Sequence, residues 1–563
     1  MEDDIADRDL TPGKELLFCA LGGSGEIGMN VNLYGCEGKW LMVDLGLTFA
    51  GTEYPGCELV FADCAFIEER REDLVGIVLT HAHEDHIGAV PYFAAELDVP
   101  IYATPFTARL VANKLAEAGL TRDVDLIVVD HFDQIDLGPF GVRYVPLAHS
   151  IAEGHALVIE TPYGRVFHTG DWKLDDEPLI GTPATPEQLT RIGDEGVLAL
   201  VCDSTNVFNP APSGSEGVVG RAMLEEVRRH AGKRVVVTTF ASNVARLQTL
   251  GDVAKATNRR LCVSGRSLDR IIEAAQSSGY LKALPDLIDV DTAMNLPRGE
   301  VLIVATGGQG EARATLARVA DGNHPIKLDK GDVVLFSSRQ IPGNELAIGK
   351  VMNQLAEQGV TVVTDRQAEI HVSGHPGRPE LQAMYGWLRP QILMPVHGEL
   401  RHMAEQVRLG KESGIPQQIL QKNGDVIRLA PGRPGKFDEI RTGRLVLDGD
   451  IIAPADGEAM AMRRRLAFQG VVMVAISGHV RHADWQVQVA GMGLPLVEDY
   501  DAFVGEAEAD VLAALTKLKG ADRRDADALT EAARLAARRC AGRWCGKKPQ
   551  VKVMLMAEGL QSA

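Results

Sequence analysis

The chain reads as an α/β protein with an inserted unit and a small α+β tail, and three observations carry that reading. Short β-type apolar runs alternate with Ala/Leu/Glu/Arg-rich helical stretches from residue 15 to about 430. Polar residues able to do chemistry follow directly on those runs: Asp44 after LMV, His81 after GIVLT, Asp171 after RVFHTG, Asp203 after LALVC and His397 after ILMPV. In open α/β sheets, ligands bind at that edge. The alternation is then broken at 210–355 by a stretch with strands of its own, introduced by the Pro/Gly-rich NPAPSGSEG.

Taken in order, residues 1–14 (MEDDIADRDL onward) are a flexible acidic arm, the opposite of a signal peptide. Residues 15–209 and 356–435 form two parts of one domain around the 210–355 insertion. The clearest strands are Trp40–Val43, Val75–Leu79, Arg165–Phe167, Val197–Val201, Arg234–Thr238, Val301–Val304, Val333–Phe336, Val360–Val363 and Ile392–Met394. APGRPGKFDE and APADGEA mark a linker over 436–460. In the tail, 461–563, the strand GVVMVAIS is followed by two helical stretches and a last strand, VKVMLMA.

A length of 563 residues exceeds what one hydrophobic core supports. With 45% hydrophobic and 24% charged residues, and no apolar run near the ~20 a membrane span needs, a soluble protein away from membranes is expected. The eight cysteines form no CxxC pair, which points to reduced thiols and a cytoplasmic address. A net charge of -19 argues against a nucleic-acid partner. Yet Arg221 to Arg270 holds eleven Lys/Arg against four acids. That run is either a solvated face or a surface for a polyanion.

The run THAHEDHIGAVPYF, from Thr80, contains HxHxDH. His81 and His83, two apart on an extended backbone, project to one side. Asp85 and His86 follow where the chain should turn into a helix. Four such ligands in six residues suit zinc or manganese and are not explained by packing. His149 in PLAHSI, Asp171 in HTGDWK and His397 in PVHGE can complete a two-metal set. Asp44 would orient a metal-bound histidine.

These motifs resemble the metallo-β-lactamase superfamily, and CDST (202–205), HVSGH (371–375) and PVHGE (395–399) resemble its β-CASP nucleic-acid branch. GGSGEIGMN, FASN, GRSLDR, TGGQGE and SSRQIPGNE are similar to ribonuclease J in particular. The resemblance covers about 15–430 and implies an αββα sandwich with an inserted β-CASP domain. It implies that His81, His83 and His149 hold one metal, that Asp85, His86 and His397 hold the other, and that Asp171 bridges. Asp203 and His375 would lie beside the scissile phosphate, with Asp85 completing the catalytic group. It further implies two zinc ions, with manganese or magnesium also supporting activity, single-stranded RNA as substrate, a homodimer or homotetramer, and a role in RNA processing and mRNA decay.

Two metals ~3.5–4 Å apart acidify a shared water and clamp the attacking and leaving oxygens. His375, oriented by Asp203, would protonate the departing 3′ oxygen, leaving a 5′-phosphate and a 3′-hydroxyl. Family members combine endonucleolytic with 5′-to-3′ exonucleolytic cleavage. The latter needs a terminal-phosphate pocket, for which Ser242, Asn243, His371 and Ser373 are candidates; FASN and HVSG can equally be turn residues. The chain departs from the family pattern at Ala245, where His is frequent, and Gly308, where Ser is.

Gly23-Ser-Gly25-Glu-Ile-Gly28 fits a dinucleotide fingerprint, but strand-like NVNLYG follows where a helix is required. A small-molecule hydrolase of the same fold would explain the metal set without the inserted basic unit. A non-catalytic RNA-binding subunit would be expected to have lost ligands, and a DNA nuclease is disfavoured by His397. EAARLAARRCAGRW reads as an amphipathic packing helix, and Trp172 and Trp387 could be core or base-stacking residues.

Overall fold

The computed structural model describes residues 10–340, 344–482 and 484–560. The chain divides into Met1–Thr48 with Phe61–Gly443, and Phe49–Val60 with Arg444–Ala563. Of the expected arm, residues 1–9 lie outside the described residues; the carbonyls of Pro12 and Gly13 accept hydrogen bonds from Gly38 and Glu37.

The first unit contains two facing sheets. One has eight strands, the other seven. Strict alternation along their strands builds the layers. In Phe140–Leu147, Val142 and Tyr144 point between the sheets, whereas Val145 and Leu147 point outward. In Ala199–Asp203, Ala199 and Val201 face inward while Leu200 and Cys202 face outward. The inward set meets Leu16, Phe18, Tyr34, Leu41 and Val78 of the other sheet. The outward set is covered by Leu189 and Ile192 of Pro186–Asp194, and by Leu381, Met384 and Leu388 of Arg378–Leu388. This is the expected αββα sandwich. Trp172 is fully buried in that outer core, so it stacks on no base.

The inserted sheet has six strands, all parallel, in the order Leu287–Ile288, Arg260–Ser264, Val301–Ala305, Val235–Thr238, Val333–Phe336, Thr361–Val363. Its central strands, VLIVA, VVVT and VVLF, are buried throughout, as a sheet covered by helices on both faces requires. Thr361–Val363 extends this sheet past the boundary expected near 355. The sequence shows that strand but not which sheet it joins.

Much of the basic run proves structural. Arg221 pairs with Glu177 at 2.6 Å, Arg229 with Glu226 at 2.8 Å and Arg270 with Glu117 at 2.8 Å. Arg259 spends its guanidinium on the carbonyls of Lys233, Val301, His230 and Ala231. Arg246 is fully buried; it donates to both carboxylate oxygens of Glu216 (3.2 and 3.1 Å), to the carbonyls of Ser337 and Ile370, and to Ser337 Oγ. Removing one partner of a buried ion pair leaves the other uncompensated. Arg246→Ala should therefore destabilise the first unit by about 3–5 kcal/mol, measured as a lower urea midpoint at unchanged slope.

In the second unit, Val471–His479 is central to a three-stranded sheet with Gln486–Met492 and Gln550–Glu558. Val472, Val474 and Ile476 face Phe503, Val511 and Leu515 of helix Tyr500–Lys517, and Leu529, Ala533 and Ala537 of Ala526–Cys545. The latter is the packing helix expected from EAARLAARRCAGRW. Strand Gln486–Met492 was not expected; its QVQVAGM is weakly apolar and mostly exposed. The expected linker also contains short strands, Gly435–Glu439, Arg444–Asp448 and Ile451–Pro454. They are short and mostly half-exposed or exposed, so little apolar alternation marks them.

All eight cysteines are free thiols. No helix among the described residues is long and apolar enough to cross a membrane.

Candidate metal centre and catalytic site

Parallel pairing gathers the strand-end residues. Gly164–His168, Ala199–Asp203 and Ile392–Val396 are adjacent and in register, His168 opposite Val201 and Asp203 opposite Val396. Asp171, Asp203 and His397 therefore leave one edge together. In the facing sheet Val43 pairs with Val78, which aligns Asp44 with the start of the HxHxDH loop. Asp44 and His397 take positive φ values of 63° and 50°, as each chain leaves its strand abruptly. Asp85 and His86 sit in a short helix, Glu84–Ile87, with His83 as its N-cap residue.

Three overlapping groups of ligand atoms meet here. His81, His83, His149 and Asp171 form the first and Asp85, His86, Asp171 and His397 the second, which together are the expected two-metal set, while Asp171, Asp203, His375 and His397 form a third. In the first, His83 Nδ1 lies 3.1 Å from His81 Nε2 and 3.0 Å from His149 Nε2. Asp171 Oδ2 is 3.8 Å from both of those Nε2 atoms and 3.3 Å from His86 Nε2, so it faces both groups. In the second, His397 Nε2 is 3.0 Å from Asp85 Oδ2. Three ring nitrogens converging with carboxylates on one point suit a divalent cation. Asp171 Oδ1, buried without a hydrogen-bond partner, fits the same conclusion.

The remaining ring nitrogens are committed elsewhere, which fixes the rings. His86 Nδ1 donates to Asp44 Oδ2 at 2.7 Å. His81 Nδ1 lies 3.0 Å from Thr80 Oγ1, whose hydroxyl donates to Asp44 Oδ2. His149 Nδ1 donates to the Gly374 carbonyl at 2.7 Å. Burial, with the neighbouring His86, pushes His81 well below the ordinary histidine range, and burial takes His83 down to about 4. Neutral imidazoles are what a metal needs. Burial opposes protonation of His397 too, but Asp171, Asp203 and Asp85 together raise it to about 10. These carboxylates demand positive charge, from protons or from a cation.

Beside this cluster His375 Nδ1 donates to Asp203 Oδ2 at 2.7 Å, and Asp203 Oδ1 accepts from the Thr205 amide at 2.8 Å. Burial lowers the His375 pKa, but the Asp203 charge and hydrogen bond outweigh it and raise it above the ordinary value.

The proposed phosphate residues are arranged unequally. Ser242 Oγ lies 3.1 Å from His83 Nε2. Asn243 is buried and caps helix Val244–Ala256 through the Arg246 amide. Ser373 Oγ accepts from the His375 amide and shapes its turn. His371 keeps a buried Nδ1 without a partner. Ala245 is buried in the same helix, and a Cβ at Gly308 would come within 2.6 Å of Ser338 Oγ.

Two supports lie inside the strings GGSGEIGMN and CDST, where sequence reasoning assigned them no role. The Gly23 carbonyl accepts from the His397 amide at 2.7 Å, so the glycine loop that mimics a dinucleotide fingerprint steadies a ligand strand. Thr205 Oγ1 accepts from His397 Nδ1 at 2.7 Å and donates to the His397 carbonyl at 2.8 Å. Thr205→Val should lower metal affinity and cleavage by about 10–100-fold, read by metal titration alongside rate.

Residues 28–195 match the metallo-beta-lactamase superfamily, and residues 360–420 match a domain described as the Zn-dependent metallo-hydrolase RNA specificity domain. Residues 232–355 match the ribonuclease J beta-CASP domain and 458–557 the ribonuclease J C-terminal domain. Ribonuclease J of Sinorhizobium meliloti is 42% identical over 98% of this chain and 99% of its own length. The chain belongs to the ribonuclease J family. Ribonuclease J of Mycolicibacterium smegmatis is 38% identical, covering 84% of each chain. A crystal structure of an Enterococcus faecalis protein of unknown function shares the fold, with TM-score 0.52 at 16% identity over 74% of this chain and all of that one. As a ribonuclease J, the protein is a metal-dependent nuclease, a phosphodiester hydrolase that binds RNA.

Proposed function

We propose that this ribonuclease J hydrolyses single-stranded RNA at a two-zinc centre, leaving a 5′-phosphate and a 3′-hydroxyl, by both 5′-to-3′ exonucleolytic and endonucleolytic cleavage. The observation that carries the reading is the position of Asp171 Oδ2, facing both ligand groups while its carboxylate lies 4.0 Å from His375 Nδ1. His81, His83 and His149 would hold one ion, Asp85, His86 and His397 the other, with Asp171 shared. When bound, two divalent ions acidify a water and clamp the attacking and leaving oxygens of an in-line displacement.

The chain's own residues supply the rest. Asp203 holds His375 by Nδ1, which leaves Nε2 to deliver a proton to the departing 3′ oxygen. Asp44 and Thr205 hold the rings of His86 and His397. Ser242, Asn243, His371 and Ser373 are proposed to receive a terminal 5′-monophosphate. The contact of the Ser242 hydroxyl with His83, at 3.1 Å, supports a pocket beside the first ligand group. Manganese or magnesium can support turnover. We assign the metallo-β-lactamase domain to 15–209 and 364–435, the β-CASP domain to 210–363 so that it keeps the edge strand Thr361–Val363, and the tail to 461–563. A cytoplasmic role in RNA processing and mRNA decay, as a homodimer or homotetramer, completes the proposal.

RNA labelled at its 3′ end and carrying either a 5′-monophosphate or a 5′-triphosphate tests it. The monophosphate form should be degraded from its 5′ end faster, with Asp85→Ala inactive. Internal fragments alone, equal for both RNAs, would remove the terminal pocket while keeping the metal centre.

A further inference from the structure

A second basic feature of the inserted domain lies on the same sheet edge as Ser242 but outside the centre described above. Strands Arg260–Ser264 and Val301–Ala305 are neighbours, yet their outgoing connections diverge. The first leads through helix Arg266–Ser277 toward the Leu287–Ile288 edge. The second leads through Thr315–Ala320 to Val333–Phe336, on the far side of Val235–Thr238. Such a divergence opens a crevice at the carboxyl ends of the two strands. Here it is a cavity of about 700 Å³ between Ser264–Ser267 and Thr306 with the 311–318 segment.

The charge of this crevice runs against that of the chain. Arg266, Arg270, Arg313 and Arg318 line it together with His324, whereas the acids there are Asp269 and Glu311. The whole protein carries -19. Glu311 turns a carboxylate oxygen back onto the Gln309 amide. Arg266 is exposed and has no ion pair among the described residues, and Arg318 donates only to the Asn323 carbonyl there. Arg270 is already paired with Glu117, so it is the guanidiniums of Arg266 and Arg318, lining a polar cavity, that match phosphate oxygens, which such groups bind by paired N–H donors. The twelve-residue helix adds the positive end of its dipole, because Gly265 caps it without a side chain. Gly265 is required there: at φ +144° its Cβ would lie 2.5 Å from Thr306 Cγ2, closing the crevice.

We propose that this crevice binds backbone phosphates of the RNA strand, as a second anchoring site on the β-CASP domain, separate from the metal centre and its terminal-phosphate pocket. The proposal rests on the ribonuclease reading. Phosphate contacts of this kind give affinity without sequence preference and release counterions.

The test uses the full chain carrying Asp85→Ala, which should bind RNA without cutting it, with and without Arg266→Ala plus Arg318→Ala. Binding of a single-stranded RNA of about 20 nucleotides is followed across a salt series. The double variant should bind roughly tenfold more weakly, and the slope of log Kd against log salt should fall by about 1.4, about 0.7 for each phosphate that is no longer neutralised on a single strand. A charge-keeping Arg266→Lys, Arg318→Lys pair should retain most of the slope. Unchanged affinity and slope in the alanine variant would overturn the site, as would weaker binding at unchanged slope. Equal loss for adenosine 5′-monophosphate would overturn the strand assignment in favour of a free nucleotide. If the Asp85→Ala parent binds no RNA while the wild type cuts none, the ribonuclease reading itself falls, and the crevice proposal with it.

Discussion

Asp171→Ala is expected to empty both halves of the metal centre and to lower RNA cleavage by at least about 10³-fold, since metal stabilisation of the transition state contributes several kcal/mol and 1.36 kcal/mol is a factor of ten. The geometry makes this residue different from the other ligands. Its Oδ2 lies within 3.8 Å of the ligand nitrogens of His81, His149 and His86, so it faces both groups and is the sole carboxylate of the first, whereas the second also holds Asp85. It is buried, and without it the centre loses the carboxylate that faces both ligand groups. Asp85 belongs to the second group alone, so Asp85→Ala should retain about one ion per chain. Plasma emission spectrometry on protein prepared with zinc measures this: about two ions in the wild type, about one in Asp85→Ala and fewer in Asp171→Ala. Equal zinc content in the two variants would show that Asp171 is not shared.

How much of this was legible in the sequence depended on distance along the chain. HxHxDH is local, and its chemistry is visible because four ligands within six residues have no packing explanation. Asp171, Asp203 and His397 were legible for a second reason: each follows a buried strand, and parallel pairing carries such ends to one edge. What remained hidden are contacts that no local pattern encodes. The Thr205 hydroxyl reaches a histidine 192 residues away, and Ser242 reaches His83 across 159. Nor does composition distinguish a buried arginine from an exposed one. Arg246 and Arg266 contribute equally to the basic run, yet one is locked to Glu216 in the interior and the other is exposed at the rim of a crevice. Charge counting therefore cannot tell which arginines of the run are committed to the fold and which are left to face outward.

His375→Ala should lower cleavage of RNA by about 10²–10⁴-fold, the usual contribution of a positioned general acid. Asp203→Asn should approach the same loss, since its buried carboxylate, 2.7 Å from His375 Nδ1, both orients the ring and stabilises its protonated form. Because the two act as one device, the double variant should be little worse than either single one. Zinc content should stay at the wild-type level in His375→Ala, as its Nδ1 is committed to Asp203 and it belongs to neither of the two ligand groups assigned to the metals. The substrate then separates roles. A phosphodiester with a nitrophenolate leaving group departs without a proton, so His375→Ala should cut it nearly as fast as the wild type, whereas Asp171→Ala should cut neither substrate. An equal loss on both substrates in His375→Ala would mean that the ring positions the scissile phosphate rather than protonating the leaving oxygen, since only proton delivery depends on how good the leaving group is.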